Sequence, residues 1–468
     1  MRKTLAAALS LFIVISAACT GGGESGSILY SDVWAGRAGG DTFAFQFFRE
    51  GSDGCPGVIH CLRDGKKYSE VPMGGVEWSP PDISIFVDAT GVTYSGSMED
   101  GVIRGGISSR DALPVSMDLV RTCPDSLPGL AALDGEYVYS PPESTGDGIP
   151  VGSCQEAGIS RETAEELVSR IAAGESGVIH SILVFSGGRL VLEEYFHGYS
   201  MEDLHRLASC TKSVSSLLVG AAMDRGLIES VTAPLTVYFP GADSSLELRH
   251  LLTMSMGLDW TDEEAEYVHG TGPGMFDRIL AREAACPPGG EFRYVNADVN
   301  LLSGIILQAT GSFPDEFAKE TLFDPLGIEV WDWDYGETEG HRMMDGSLRM
   351  RPRDMGRIGL LVLEQGLREG ERVISREWIS ESTSPHLPVD GLFSYGYLWW
   401  LTSIPADGGE QRVILASGWG SQFIAVIPEA DIVVVTTGGN DDNGRNWDVL
   451  RLVREVLFQE PGAGPPSL

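Results

Sequence analysis

Between Thr42 and Arg121 apolar and polar residues alternate in short runs broken by Gly, Asp and Pro. Phe43, Phe45 and Phe47 alternate with Ala44, Gln46 and Phe48, close to the period of two of a half-buried strand. The same pattern predicts strands over 57–62, 83–88, 92–97, 102–107 and 115–120. Short strands at this spacing with turns between them suggest a small antiparallel barrel or sandwich. Residues 124–153, rich in Pro, Gly, Ser and Asp, read as a linker.

From Ser160 the texture changes. Ser160 is placed to cap a helix over 161–173 that puts Ala164, Leu167, Ile171 and Ala172 on one face. Runs at 179–185 and 190–195 flank Ser186-Gly187-Gly188 and read as a hairpin. A largely helical middle follows. Strands are then expected at 413–416, 422–427 and 432–437, with a turn at 428–431 and a last amphipathic helix at 449–458. Helix, strands, helical insertion, strands, helix is an α+β layout in which terminal helices cover one antiparallel sheet.

Composition narrows the function. In 468 residues, 33 Lys and Arg stand against 67 Asp and Glu, a net charge of -34. Nucleic-acid binding needs a basic face and is excluded as an expectation. Arg2 and Lys3 precede an apolar run from Leu5 to Ala18. That run is shorter than the ~20 residues that span a bilayer, and it reads as a secretory signal. It ends Ser16-Ala17-Ala18-Cys19, which resembles the lipobox of bacterial lipoproteins and implies acylation of Cys19 and anchoring to a membrane outside the cytoplasm. The expected organisation is therefore a signal at 1–18, a flexible tether at 19–30, a small β domain at 31–123, the linker at 124–153, the main α+β domain at 154–460 and a tail at 461–468. Export permits disulfides; the six cysteines after Cys19 can pair in fifteen ways, which sequence does not fix, and Cys55–Cys61 and Cys123–Cys154 are two candidate pairs. The eight histidines form no His-Glu-x-x-His or similar cluster, so no metal site and no cofactor is expected.

Candidate chemistry sits in three places. Ser209-Cys210-Thr211-Lys212 opens an apolar helix, and residues three apart share one helix face. A serine hydroxyl attacks weakly until an adjacent base takes its proton. A buried amine at a helix N-terminus gives up part of its preference for the proton, which suits Lys212 to that role. The competing reading of this motif is a helix cap beside an exposed lysine. The second place is Tyr294-Val295-Asn296, ahead of a helix expected at 299–309, where a tyrosine could pass a proton to a leaving group. The third is Ala416-Ser417-Gly418-Trp419-Gly420-Ser421-Gln422, a small-residue turn whose backbone could approach a substrate and supply one N–H of an oxyanion hole.

These motifs, about 85 and 125 residues apart and in this order, resemble those of the penicillin-recognising serine hydrolases. Ile179–Val184, the stretch from His250 to Trp260, Arg353-Asp354-Met355 and Tyr395–Trp400 strengthen the likeness, most of all to the 6-aminohexanoate-oligomer hydrolase and family VIII esterase branch. The resemblance implies the β-lactamase/transpeptidase-like fold. It also implies Ser209 as acylated nucleophile, Lys212 as its base or base partner and Tyr294 as proton shuttle. The backbone N–H groups of Ser209 and Trp419 would form the oxyanion hole, and Asn296, Gly418, Trp419 and Trp260 would bind substrate. Where β-lactamases and DD-peptidases carry Lys or His before Thr-Gly, this chain has Ala416 before Ser417-Gly418. That points to a small neutral ester or amide rather than a β-lactam. β-Lactamase or DD-peptidase activity, or a non-catalytic penicillin-binding-like lipoprotein, is the alternative. An α/β-hydrolase is disfavoured because no complete Gly-x-Ser-x-Gly occurs.

Overall fold

The computed structural model describes residues 33–47, 57–79, 81–87, 92–109, 114–122, 127–130, 137–260, 272–334, 340–406, 409–440 and 445–458. The signal, Cys19, the tether and the tail lie outside these residues, as do Cys55 and Cys123. Cys154 is a buried free thiol, so the expected staple to Cys123 is not made. Its sulfur instead sits in an apolar core with Ile171 and Phe196.

The N-terminal region is one ten-stranded antiparallel sheet. Its strands are β1 (Val33–Ala38), β2 (Asp41–Phe47), β3 (Gly57–Arg63), β4 (Lys66–Pro72), β5 (Gly75–Ser79), β6 (Asp82–Val87), β7 (Val92–Glu99), β8 (Val102–Ser108), β9 (Val115–Ser116) and β10 (Leu119–Thr122). The spatial order is β4-β3-β2-β1-β10-β8-β7-β6-β5, with β9 beside β8. The two edge strands β4 and β5 are neighbours in the chain, joined only by Met73 and Gly74. Met73 N–H donates to Gly57 O on β3 at 2.9 Å, and Gly74 N–H to Phe86 O on β6 at 2.8 Å. The sheet therefore curls until its two edges meet at this turn, as a barrel left open between β4 and β5, which no ladder pairs among the described residues. The alternating residues Phe43, Phe45 and Phe47 face its core with Trp34, Ile85 and Tyr94. Strand β4 escaped the periodicity because its buried side sets Lys67 and Ser69 beside the single apolar Val71.

The second region is built on an eight-stranded antiparallel sheet. In spatial order its strands are Arg189–Tyr195, Ile179–Ser186, Ile432–Gly438, Gln422–Ile427, Gly409–Gly418, Trp400–Ala406, Ser394–Tyr395 and Leu387–Pro388. Side chains alternate across a strand, so Ile424 and Val426 enter one core while Phe423, Ala425 and Ile427 enter the other. The terminal helices α1 (Arg161–Ala172) and the C-terminal Asp448–Leu457 cover the second core. Ser160 caps α1, its Oγ accepting Thr163 N–H at 3.1 Å. On the other face lie α2 (Cys210–Asp224), α3 (Asn296–Val299), α4 (Leu301–Thr310) and α5 (Pro352–Leu363). The helix expected at 299–309 is thus two helices that meet at Asn300, which caps both.

The barrel docks on this body through the hairpin of β3 and β4. Lys67 N–H donates to His197 O at 3.2 Å, and the Lys66 ammonium pairs with Asp203. A Cβ at Gly439, which follows the strand Ile432–Gly438, would lie 1.9 Å from Tyr68 O. Only a glycine lets the two backbones approach this closely. Tyr137 to Pro150 contain no helix or strand, yet Tyr139 is buried and its hydroxyl donates to Val191 O at 2.8 Å. Among the described residues no helix is long and apolar enough to cross a membrane.

Candidate active site

Helix α2 begins at Ser209, whose side chain makes no capping bond. Its hydroxyl is instead 2.8 Å from Lys212 Nζ, one turn along. Lys212 is only 1% exposed. Both facts remove the reading of this motif as a capped helix beside a solvated lysine. Lys212 Nζ also donates to Asn296 Oδ1 at 2.8 Å and to the Asp345 carbonyl at 2.7 Å. It lies 4.9 Å from the centre of the Tyr294 ring. No carboxylate pairs with it among the described residues.

The donor count sets what this geometry can do. Asn296 Oδ1 and a backbone carbonyl only accept, so each takes an N–H from Lys212. A hydroxyl can donate or accept. A neutral amine has two N–H groups and one lone pair, so those two acceptors leave its lone pair facing Ser209. An ammonium would donate its third N–H to the serine, whereas the neutral amine would be oriented to take the serine proton.

Ala208, just before Ser209, sits at φ 46, a left-handed backbone that a non-glycine residue adopts only where its surroundings impose it. Residues 207–210 are pressed against the end of the strand Gly409–Gly418. A Cβ at Gly418 would stand 2.2 Å from Leu207 O and 3.2 Å from Cys210 N. The backbone entering Trp419 therefore runs directly beside the start of α2. Trp419 itself is 43% exposed. The turn is held from behind by Asn440 Nδ2, which donates to Ser421 Oγ at 2.9 Å, and by Gln422 Nε2, which donates to Gly420 O at 2.9 Å.

Tyr294 stacks on Trp400 with ring centres 5.7 Å apart, and Trp400 meets Tyr395 edge-on at 5.1 Å. The Tyr294 hydroxyl has no hydrogen-bond partner among the described residues. Cys210, beside the serine, is fully buried and donates to Gln422 O at 3.1 Å. Burial pushes its thiol well up, so it is no rival nucleophile.

The structure thus brings Ser209, Lys212, Tyr294, Asn296 and Gly418 together. Trp260 is different. It is 4% exposed, its indole N–H donates to Asp298 Oδ1 at 2.9 Å, and the Arg282 guanidinium lies 4.0 Å over its ring. It is a core residue rather than the cleft wall expected from its type. The Asp345 carbonyl was invisible to sequence reading, because a backbone acceptor carries no residue signature. Among the described residues no group of His, Cys, Asp and Glu could hold a metal ion.

Comparison with known proteins agrees with this layout. Residues 167–454 match the Beta-lactamase family model, so the chain belongs to that family and is a serine hydrolase. The 6-aminohexanoate-dimer hydrolase of Paenarthrobacter ureafaciens is 25% identical over 301 residues, 58% of this chain and 75% of that protein. Two solved structures share the fold. A penicillin-binding protein from Bacillus halodurans has a TM-score of 0.52 at 17% identity, covering 62% of this chain and 99% of that one. An octameric penicillin-binding protein homologue from Pyrococcus abyssi has a TM-score of 0.52 at 20% identity, covering 63% and 77%.

Proposed function

We propose that Ser209 is the acylated nucleophile of an ester or amide hydrolase, with Lys212 as its base. Ser209 Oγ attacks the substrate carbonyl carbon while its proton passes to Lys212 Nζ. The N–H groups of Ser209 and Trp419 receive the developing oxyanion. The tetrahedral intermediate expels its alkoxide or amine, which takes a proton from the Tyr294 hydroxyl. Tyr294 is reprotonated from Lys212. Water then attacks the acyl-serine by the reverse sequence and releases the acid. The single observation that carries this reading is the 2.8 Å Lys212–Ser209 contact, with both other Lys212 partners able only to accept.

Neutral esters and simple amides are the proposed substrates. Ala416 supplies no cation where the resembling antibiotic hydrolases carry one, and it is fully buried in the core. A substrate carboxylate therefore goes without a charge-assisted hydrogen bond there, typically ~1.5–3 kcal/mol. The relative's name, that of a 6-aminohexanoate-dimer hydrolase, supports an amide.

Two assays test this. A fluorophosphonate probe is expected to label Ser209 in the native protein and nothing in Ser209→Ala, with the labelled peptide found by mass spectrometry. Hydrolysis by Ser209→Ala at a tenth of the native rate would refute the nucleophile. Short-acyl p-nitrophenyl esters and short ω-amino amides are expected to exceed nitrocefin in kcat/KM, and the reverse order would refute the substrate class. We further propose export and anchoring through an acylated Cys19. Uptake of a labelled fatty acid that is lost in Cys19→Ser supports it, and an unlabelled soluble native protein refutes it.

A further inference from the structure

We propose that Asn300 is a positioning residue for Lys212, acting through the backbone of Met344 and Asp345; this rests on Lys212 being the base. Asn300 is 1% exposed, at the junction of α3 and α4. Its Oδ1 accepts two consecutive backbone N–H groups from a distant segment, Met344 at 2.8 Å and Asp345 at 3.3 Å. The Asp345 carbonyl in turn accepts the Lys212 N–H at 2.7 Å.

The same segment is held from its other side by α2. Ser215 lies one turn beyond Lys212, and its Oγ donates to Met344 O at 3.0 Å. A third contact pins the approach to the loop, where Ser303 Oγ accepts Arg342 N–H at 3.1 Å. Asn296, Asn300 and Ser303 fall at i, i+4 and i+7, a spacing that puts them on one side of the two helices. One end of that row touches Lys212 directly through Asn296 Oδ1 at 2.8 Å. The rest fixes the loop whose carbonyl supplies the other acceptor.

This arrangement gives Asn300 a role that its burial alone would not. Lys212 keeps its lone pair on Ser209 only while both acceptors claim its two N–H groups. If the backbone at Asp345 turns or retreats, its carbonyl leaves one Lys212 N–H without a partner, and the amine is free to rotate a hydrogen toward Ser209. The side chain can no longer be counted on to face the serine with its lone pair. Reacting groups displaced by about 1 Å lose on the order of 10²-fold in rate. Uniform substrate binding is expected to be untouched, because Asn300 is 1% exposed and its Oδ1 bonds lie on the 344–345 backbone.

The test uses the full chain and counts active enzyme by fluorophosphonate titration at Ser209. Asn300→Ala is expected to lower kcat per titrated site by about 10–100-fold, with KM within threefold of native. The single-turnover rate of Ser209 phosphonylation should fall by a similar factor. Asn300→Asp keeps an acceptor at Oδ1 and is expected to recover most of the rate. Native kcat and phosphonylation rate per titrated site in Asn300→Ala would overturn the proposal, as would a loss confined to Tm or to the titrated fraction. If Asn300→Ala does not fold, Asn300→Ser, whose hydroxyl is too short to reach both amides, is judged by the same criteria. The underlying reading fails separately, through hydrolysis by Ser209→Ala.

Discussion

Arg353 closes a buried ion pair on Glu193, with Nε 2.7 Å from one carboxylate oxygen and Nη2 2.5 Å from the other. Both side chains are about 5% exposed. The pair ties α5 to the strand Arg189–Tyr195. The same guanidinium donates to Thr145 Oγ1 at 2.7 Å and Glu143 O at 2.9 Å, so it also straps the irregular stretch after Tyr137 onto the body. Removing one partner of such a pair leaves a buried charge uncompensated, at roughly 3–5 kcal/mol. Arg353→Ala is expected to lose about that much in urea unfolding, and Arg353→Ala with Glu193→Gln should regain part of it. A loss below ~1 kcal/mol would show that the pair contributes little. Neither residue touches Ser209, so kcat per titrated site is expected to stay near native.

Gly418→Ala addresses the proposed oxyanion hole chiefly through the backbone. The new Cβ would meet the Leu207 carbonyl oxygen at 2.2 Å, a backbone atom that cannot swing aside. The strand end must retreat, and Trp419 N–H retreats with it. Losing one oxyanion donor costs about 10²–10³ in kcat. Gly418→Ala is therefore expected to lose activity on that scale while it still folds. An active Gly418→Ala enzyme would place the second donor elsewhere.

Tyr294→Phe separates packing from chemistry. The ring stacks on Trp400, and its hydroxyl has no partner among the described residues. Removing the hydroxyl should therefore leave Tm within a degree or two of native. A general acid–base group is worth roughly 10²–10⁴ in rate, and kcat is expected to fall by that factor. Rates within threefold of native would remove Tyr294 from the proton path.

Fold and site differed in how far they could be read from residues alone. The barrel strands around Phe43–Phe47 and the strands Gln422–Ile427 and Ile432–Gly438 carry apolar side chains on their buried positions, so periodicity marks them. Strand β4 buries Lys67 and Ser69, and its pattern is silent. Ser209 with Lys212, and Tyr294 with Asn296, are local spacings and therefore legible. Trp260 was misplaced because residue type cannot say which way an indole faces; its direction follows from Asp298, 38 positions away. Asn300 and Asp345 act through a contact between distant segments and a backbone carbonyl, neither of which composition records. The staple from Cys123 failed on the same ground, since the surroundings of Cys154 are set by tertiary packing.

The seam between barrel and body gathers His60, His180, His197 and His205, and it makes stability depend on pH. His180 and Tyr199 stack at 4.0 Å, and Tyr199 lies 4.7 Å from His205. Among the described residues His205 Nε2 is buried without a partner, and His180 is fully buried beside the Lys67 backbone. Lys67, Lys66, Asp203 and Glu70 are the charged groups around them, with Glu70 on His60 and Asp203 near His205. Burial lowers His197 and His205 to about 4 and His180 well below its ordinary value. Folded histidines that resist protonation are protonated first in the unfolded chain, so stability is full above pH 6.5 and falls as pH drops from 6.5 toward 4. A shift from 6.5 to about 4 corresponds to roughly 3 kcal/mol for each of His197 and His205. Carboxylates such as Glu70, which the His60 and Lys67 contacts hold low, act only in a more acidic window. Thermal melting at pH 7.5, 6.5, 5.5 and 4.5 is expected to show a steep fall below 6.5. His180→Phe with His205→Phe, which keeps aromatic rings there and removes two of the titrations, should make that fall shallower, with His197 still contributing. An equally steep fall in the double variant would assign the acid sensitivity to other groups.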